Sequence, residues 1–410
     1  MYMDKTNINK SLVVKIGSIR IDVQSLSFSM LLIIPQLSYY LGIMNLNSIV
    51  SILHIVNYTL MALLLLNLLL DRKIIKYVLV AFFIFAIIVI EWLRYPSNRP
   101  ALEEIAPTML MQAIYFTVSN RASDSETVLN YLTKASYFVF VIAVIGTSLF
   151  PAIRDNRIIV SNAFFLCILV YLLYKNKTIS HIILGIVSVL FLILFGRRAH
   201  VLYFALIISV IYLRKLYKDS VKNKLFSILA VTIFIFMLAL FSDYIVSGLY
   251  SLLSIAGINS RTLLMMTQGD FYDLNGRDIL YEYAFELMRK SPLLGNGIGS
   301  TMVLAHNRGR YASSTPYSGV NTHNGILEMG AEFGVIAMII FVIIHVIVLV
   351  RIVKFQITET EEHILYILLG TGFWAVLIGA SYLNVFQYAM FWGYYLMLRN
   401  KYDSDSKRIS

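Results

Sequence analysis

Runs of about 20 apolar residues, broken by short polar stretches, recur along the chain, and about 20 residues rising about 1.5 Å each cross a hydrocarbon core about 30 Å thick. The runs do not alternate with a period of two, so they read as helices and not as barrel strands. Spans are predicted at 23–43, 48–70, 76–94, 101–119, 133–151, 158–174, 179–195, 199–213, 225–244, 326–350, 363–382 and 384–398. The expected fold is all-α: a polytopic integral membrane protein of about 12 transmembrane helices, with one large external loop before the tenth. This divides the chain into membrane helices one to nine at 1–245, an external loop domain at 246–325, and helices ten to twelve with a tail at 326–410.

Composition agrees, with 59% hydrophobic and 14% charged residues, far from the roughly 25% charged of a soluble domain. A soluble fold is excluded. The net charge of +11 is first a topology signal and does not point to nucleic acid, because inner-membrane proteins concentrate cations in cytoplasmic loops. Placing both termini in the cytoplasm leaves Arg94, Arg99, Arg154, Arg157, Arg197 and Arg198 in short outer loops and most other cations inside; the long loop escapes the rule. Cys167 is the single cysteine and lies in an apolar run, which excludes an intrachain disulfide and a cysteine-based zinc site. Met1 to Asp22 is basic and leads into an apolar run without a cleavage pattern, so a retained first helix is expected.

Ionisable groups inside a membrane are costly, which makes the few near a span informative. The segment Thr322 to Gly334 opens the tenth span and carries Glu328 and Glu332, four apart and so on one helical face. Such a pair calls for a polar cavity; the plainer reading leaves Glu328 at headgroup level and Glu332 bonded to a neighbouring helix. Gly196-Arg197-Arg198-Ala199-His200 is an outer turn whose two guanidiniums suit a diphosphate, or serve as anchors to lipid headgroups. A third cluster runs from Asn275-Gly276-Arg277-Asp278 to Ser291-Pro292, with Gly295, Gly297 and Gly299 offering a backbone nest for an anion. Among the histidines, His54 and His345 read as packed core and His181 and His363 as interface residues, while His200, His306 and His323 on the outer side are candidates for a general base. Asp270 with Asp273 reads as solvated loop acid; no spacing calls for a metal or a cofactor.

With these residues in view, the chain resembles the bacterial O-antigen ligase and O-antigen polymerase family. The family pattern of histidine, then Asn, Ser or Gln, then nine residues and a glycine is met by His323, Asn324 and Gly334, with Ala337 three further on where a small residue or Tyr is usual. His306-Asn307 imitates the start of the pattern, but position 317 is Tyr. Arg277, the run to Pro292, and Gly295, Gly297 and Gly299 match the family's loop block; Arg197 or Arg198 occupies its basic outer turn, with Ala199 where glycine is frequent.

The resemblance implies glycosyl transfer from an undecaprenyl-diphosphate-linked oligosaccharide to an acceptor hydroxyl, inverting and metal-independent, at the outer face of the cytoplasmic membrane. His323 would be the base, oriented by Glu332. Arg277 and Arg197 or Arg198 would stabilise the departing diphosphate, and Asn324 and the three glycines would help bind it. Membrane lipids, a chain-length regulator and a flippase are the expected partners, and nucleic acid is not. Polymerase and ligase differ in acceptor alone, with the polymerase preferred. A lipid-linked oligosaccharide transporter is the alternative from another class, but it should show related halves and polar residues near the midplane.

Overall fold

The computed structural model describes residues 13–16, 19–69, 74–122, 124–174, 177–218, 277–309, 315–320, 322–409 and scattered positions between 247 and 264. A two-stranded antiparallel hairpin, β1 (Val13–Ile16) and β2 (Ile19–Asp22), precedes the helices and amends the all-α expectation. Asp22 ends it and caps the first helix, its carboxylate accepting from the amides of Gln24 and Ser25.

The helices that follow are α1 (Val23–Ile43), α2 (Asn47–Leu69), α3 (Ile74–Arg94), α4 (Arg99–Asn120), α5 (Ser125–Leu149), the short α6 (Pro151–Asp155), α7 (Arg157–Leu172), α8 (Ile179–Phe195) and α9 (Arg198–Lys218). Beyond the ninth predicted span, 225–244, which lies outside the described residues, come α10 (Arg277–Lys290), α11 (Ser300–Asn307), α12 (Gly325–Phe333), α13 (Val335–Lys354), α14 (Glu359–Leu368), a π-helical turn (Leu369–Trp374), α15 (Ala375–Ile378) and α16 (Phe386–Ile409). Seven stretches among the described residues are long and apolar enough to cross a membrane: Val23–Ile43, Asn47–Leu64, Ile74–Arg94, Ser125–Leu149, Ala199–Tyr217, Val335–Lys354 and Glu359–Ile378. Arg157–Leu172 and Ile179–Phe195 are shorter apolar helices.

In lipid the hydrophobic effect does not press helices together, so close packing at small residues and buried hydrogen bonds must do so. The pairing of α4 with α16 follows this rule. A Cβ on Gly393 would lie 2.1 Å from Ser119 Oγ and 2.3 Å from Phe116 O, and Asn120 Nδ2 donates to Gly393 O at 2.8 Å. Between α1 and α5, Ser29 Oγ donates to Val128 O at 3.0 Å, and Gly146 makes room for the Tyr40 ring. The lipid-facing sides stay apolar, as at Phe82, Phe83, Ile339 and Ile343.

One prediction needs correction in a way that shapes the site. The tenth span, expected at 326–350, is two helices meeting at Gly334, whose φ of +90° and ψ of +168° break the helix. The spanning part starts at Val335. The preceding nine residues, α12, pack instead against α10 and α11, which with the connecting loops form a cap over one end of the bundle. His345 is buried as expected, bonded to Tyr388 Oη at 2.7 Å, and His363 is buried too, against Leu169 O at 2.8 Å. His54 departs from the core expectation: it is half-buried beside Tyr58.

Candidate active site

The cap end of the bundle gathers the polar residues, and three connections bring them together. The first is the turn from α8 to α9. Its position is fixed by α7: the Arg197 amide donates to Ser161 Oγ at 2.6 Å, and His200 Nε2 lies 2.9 Å from Asn162 Oδ1. His200 is 8% exposed and packs its ring against Phe165 and Tyr203, so this candidate base serves as a clamp for the turn. Arg198 opens α9, and its side chain lies outside the described ones.

The second connection is the start of α10, where Arg277 is the first helical residue; Asn275, Gly276 and the Asp270 and Asp273 pair lie outside the described residues. The third is the entry to α12. Asn324 is its N-cap, with Oδ1 accepting from the amides of Ile326 at 3.0 Å and Leu327 at 3.2 Å. A cap of this kind stabilises by about 1 kcal/mol, and it gives Asn324 a structural task where ligand binding was expected. Thr322 closes the turn, its Oγ1 donating to Asn324 O at 2.9 Å.

Between them His323 sits at φ +52°, a left-handed conformation that a β-substituted residue rarely adopts. Such outliers persist where surrounding contacts over-determine them, and they concentrate at functional sites. The ring Nδ1 lies 3.3 Å from Gly379 O. A carbonyl only accepts, so Nδ1 carries the proton of the neutral ring and Nε2 keeps its lone pair. Burial lowers the His323 pKa to about 4, with the positive charges of Arg277 and then Arg197 acting in the same direction and the Gly379 bond opposing them. The same electrostatics place the two guanidiniums in one site: burial and then Arg277 lower the pKa of Arg197. Arg157, at the start of α7, acts on Arg197 as well. Of the three histidines on this side, His323 thus lies in the field of both arginines, whereas His306 packs against Tyr317 with the rings tilted and their centroids 4.2 Å apart.

The glycine loop has a different task from the expected anion nest. Gly295, Gly297 and Gly299 all have positive φ, but their amides point into the protein. The Gly295 amide donates to Ser291 O at 3.1 Å, Gly297 to Glu332 O at 2.9 Å, and Gly299 to Glu332 Oε1 at 2.7 Å. Between them, Asn296 donates to Ala331 O and Ile298 to Glu91 Oε2, both at 3.0 Å. The loop is a joint that wedges the end of α12 against the corner between α3 and α4, where Asn98 Nδ2 donates to Asn296 O at 2.8 Å.

Glu332, expected to orient His323, spends one carboxylate oxygen on Gly299 and the other on the Tyr382 hydroxyl. It and Glu328 are both fully buried on the same face of α12. Burial raises the pKa of each, and for Glu332 the neighbouring Glu328 charge raises it further. Two residues of this network escaped the sequence reading. Glu91 is 8% exposed in α3, and a single acid inside an otherwise apolar run was its available signal. Tyr382 lies in the turn after α15, held by Gln112 Nε2, which donates to the carbonyls of Tyr382 and Leu383 at 2.8 and 2.9 Å; nothing local in sequence marks it.

Chemically, the arrangement offers a neutral imidazole in the field of two guanidiniums, at the end of a membrane bundle. Comparison with known proteins adds a family to this geometry. No curated protein matches the chain. The family model described as O-antigen ligase matches residues 163–342, a stretch containing Arg197, Arg277, His323, Glu328 and Glu332. Over residues 163–342 the chain is similar to the O-antigen ligase family.

Proposed function

We propose that the protein is a surface-polysaccharide polymerase of the bacterial cytoplasmic membrane, transferring a glycan from undecaprenyl diphosphate to a hydroxyl of a lipid-linked repeat unit. In this reading both termini lie in the cytoplasm and the cap with its site faces outward. The observation that carries this reading is His323, neutral and half-buried, in the field of Arg197 and Arg277. The acceptor oxygen attacks the anomeric carbon, and its proton passes to His323 Nε2. The bond from that carbon to the diphosphate oxygen breaks, and its electron pair leaves with the lipid diphosphate. The added negative charge falls where two fixed guanidiniums already sit, and preorganised charge in a partly dry site stabilises it better than water does. Inversion follows from a single in-line displacement, and this route assigns no step to a metal.

The ligase reading shares every one of these steps and differs in taking lipid A core as acceptor; the matching family model supports it equally. A transporter is less well supported, since the polar groups gather at one end of the bundle.

Arg277→Ala, in cells that keep the protein at its normal level, is expected to lower transfer by about 10²–10³-fold, the usual effect of losing one oxyanion-type donor. The profile of lipid-linked and surface glycan then separates the readings. Single capped repeat units mark a polymerase, and full-length polymer stranded on undecaprenyl diphosphate marks a ligase. An unchanged profile, or repeat units held on the cytoplasmic face, sinks the transfer reading.

A further inference from the structure

We propose that the turn 291–294 enters the lipid leaflet on the cap side of the membrane. Leu293 and Leu294 reach the acyl region while Arg289 and Lys290 stay among the headgroup phosphates, so that the bilayer itself holds the C-terminal end of α10. The inference needs only the membrane and stands whether or not the protein transfers a glycan.

The height of the turn follows from α13. That helix has 20 residues, and at about 1.5 Å per residue it is just long enough for a hydrocarbon core about 30 Å thick. Arg351 and Lys354 close its far end, where long cationic side chains reach out of the core. Its first residue, Val335, therefore stands at the opposite boundary. The turn 291–294 is fastened at that level. Pro292 O accepts from the Val335 amide at 2.7 Å, and a Cβ on Gly334 would lie 2.5 Å from Leu293 O. The Ser291 amide donates to Leu287 O at 3.0 Å, and Ser291 O accepts from the Gly295 amide at 3.1 Å. The turn is thus a fixed part of the cap, tied to the rim of the core.

Exposure and charge then identify the medium around it. Leu293 is 66% exposed and Leu294 64% exposed, although Leu287 and Met288 just before them are buried in the cap. A single exposed leucine is ordinary. Two adjacent ones at this height border Ile336, Ile340, Ile343 and Ile347, the exposed stripe of α13, which acyl chains cover. The turn extends that stripe past the end of the helix. Arg289 and Lys290, directly before it, are exposed as well. A helix C-terminus favours cations by itself. Set beside an apolar tip, they also match a layer of anionic phosphates over hydrocarbon. Since α10 begins at Arg277 and ends here, the leaflet fixes one end of a helix whose other end carries a guanidinium of the site.

Spin labels on the full-length protein, in vesicles of phosphatidylethanolamine and phosphatidylglycerol, test this. The native thiol, Cys167, is fully buried, so labelling follows the introduced cysteines Leu293→Cys, Leu294→Cys, Ile336→Cys and Glu282→Cys, the last at an exposed position of α10. The measured quantity is the accessibility to oxygen divided by that to a water-soluble nickel chelate. At 293 and 294 this ratio should come within about twofold of that at 336 and exceed that at 282 by at least about fivefold, as expected for side chains in the acyl region. Adding Arg289→Gln and Lys290→Gln together should lower the ratio at 294 by about twofold or more, and no change would strike the phosphate contact. A ratio at 293 and 294 equal to that at 282 would place the turn in water. Shielding of both labels from both reagents would mean that a second copy of the chain covers them. Either result overturns the proposal.

Discussion

His323→Ala is expected to lower glycan transfer by about 10²–10⁴-fold with donor binding retained, the loss that follows if His323 is the positioned general base. The larger lesson lies in its pH dependence. The ring works as a base only when neutral, and burial, helped by Arg277 and Arg197, holds its pKa near 4. As pH falls, kcat/KM should therefore stay flat through the range where an ordinary histidine of pKa about 6.5 would protonate, and drop only around pH 4. Once the diphosphate is bound its charge offsets the two guanidiniums, so the acid limb of kcat should lie at higher pH than that of kcat/KM, because the two report the complex and the free enzyme. A pH–rate series on purified protein checks both limbs. A kcat/KM limb at the ordinary histidine value would show that the base does not sit in this environment.

Gly295→Ala is the second large effect, and it acts on the fold. At φ +69°, an added Cβ would lie 2.1 Å from Glu332 O, 2.3 Å from Glu332 C and 2.4 Å from Phe333 N. All three are backbone atoms, so no side chain can swing aside. Left-handed strain costs roughly 1–2 kcal/mol for a residue with a Cβ, and forced overpacking adds typically about 1–3 kcal/mol. A destabilisation of about 2–5 kcal/mol is expected from the two together. Gly309→Ala supplies the control: its φ is +65°, but nothing lies within 4 Å of the new Cβ, so it bears the strain without the clash. Thermal melts of the two variants in detergent should separate clearly. Equal melting would mean that the joint between the glycine loop and α12 is not packed as described.

Most of the membrane architecture was legible because lipid leaves the backbone little choice: an apolar run of sufficient length must be a helix there. The break at Gly334 was not legible, because the residues on both sides, Ala331 and Phe333 before it and Val335 and Ile336 after it, continue the apolar pattern. What gave it away in retrospect was the pair of acids in the outer half of the predicted span. His323 and the Arg197 turn stood out through residue type and spacing, and the structure puts His323 within the field of Arg197. The internal bonds of Asn324 and the glycines were not legible, since sequence shows which amides and side chains could bond and not which internal partner uses them. Glu332 and Tyr382 are 50 positions apart, and Gln112 and Tyr382 are 270 apart; pairings of that separation leave no local trace.

The nine residues between Asn324 and Gly334 in the family pattern are α12 itself, from its N-cap to its left-handed terminus. This turns a spacing into a ruler. Each residue of a helix advances the face by about 100°, so one residue more or fewer would carry Glu332 away from the Tyr382 hydroxyl and misalign the terminal glycine with the Pro292 carbonyl, which binds the first amide of α13 at 2.7 Å. Loops elsewhere in such a protein can lengthen at little cost. This interval is locked at both ends, and its length is as much a part of the chemistry as the histidine that begins it.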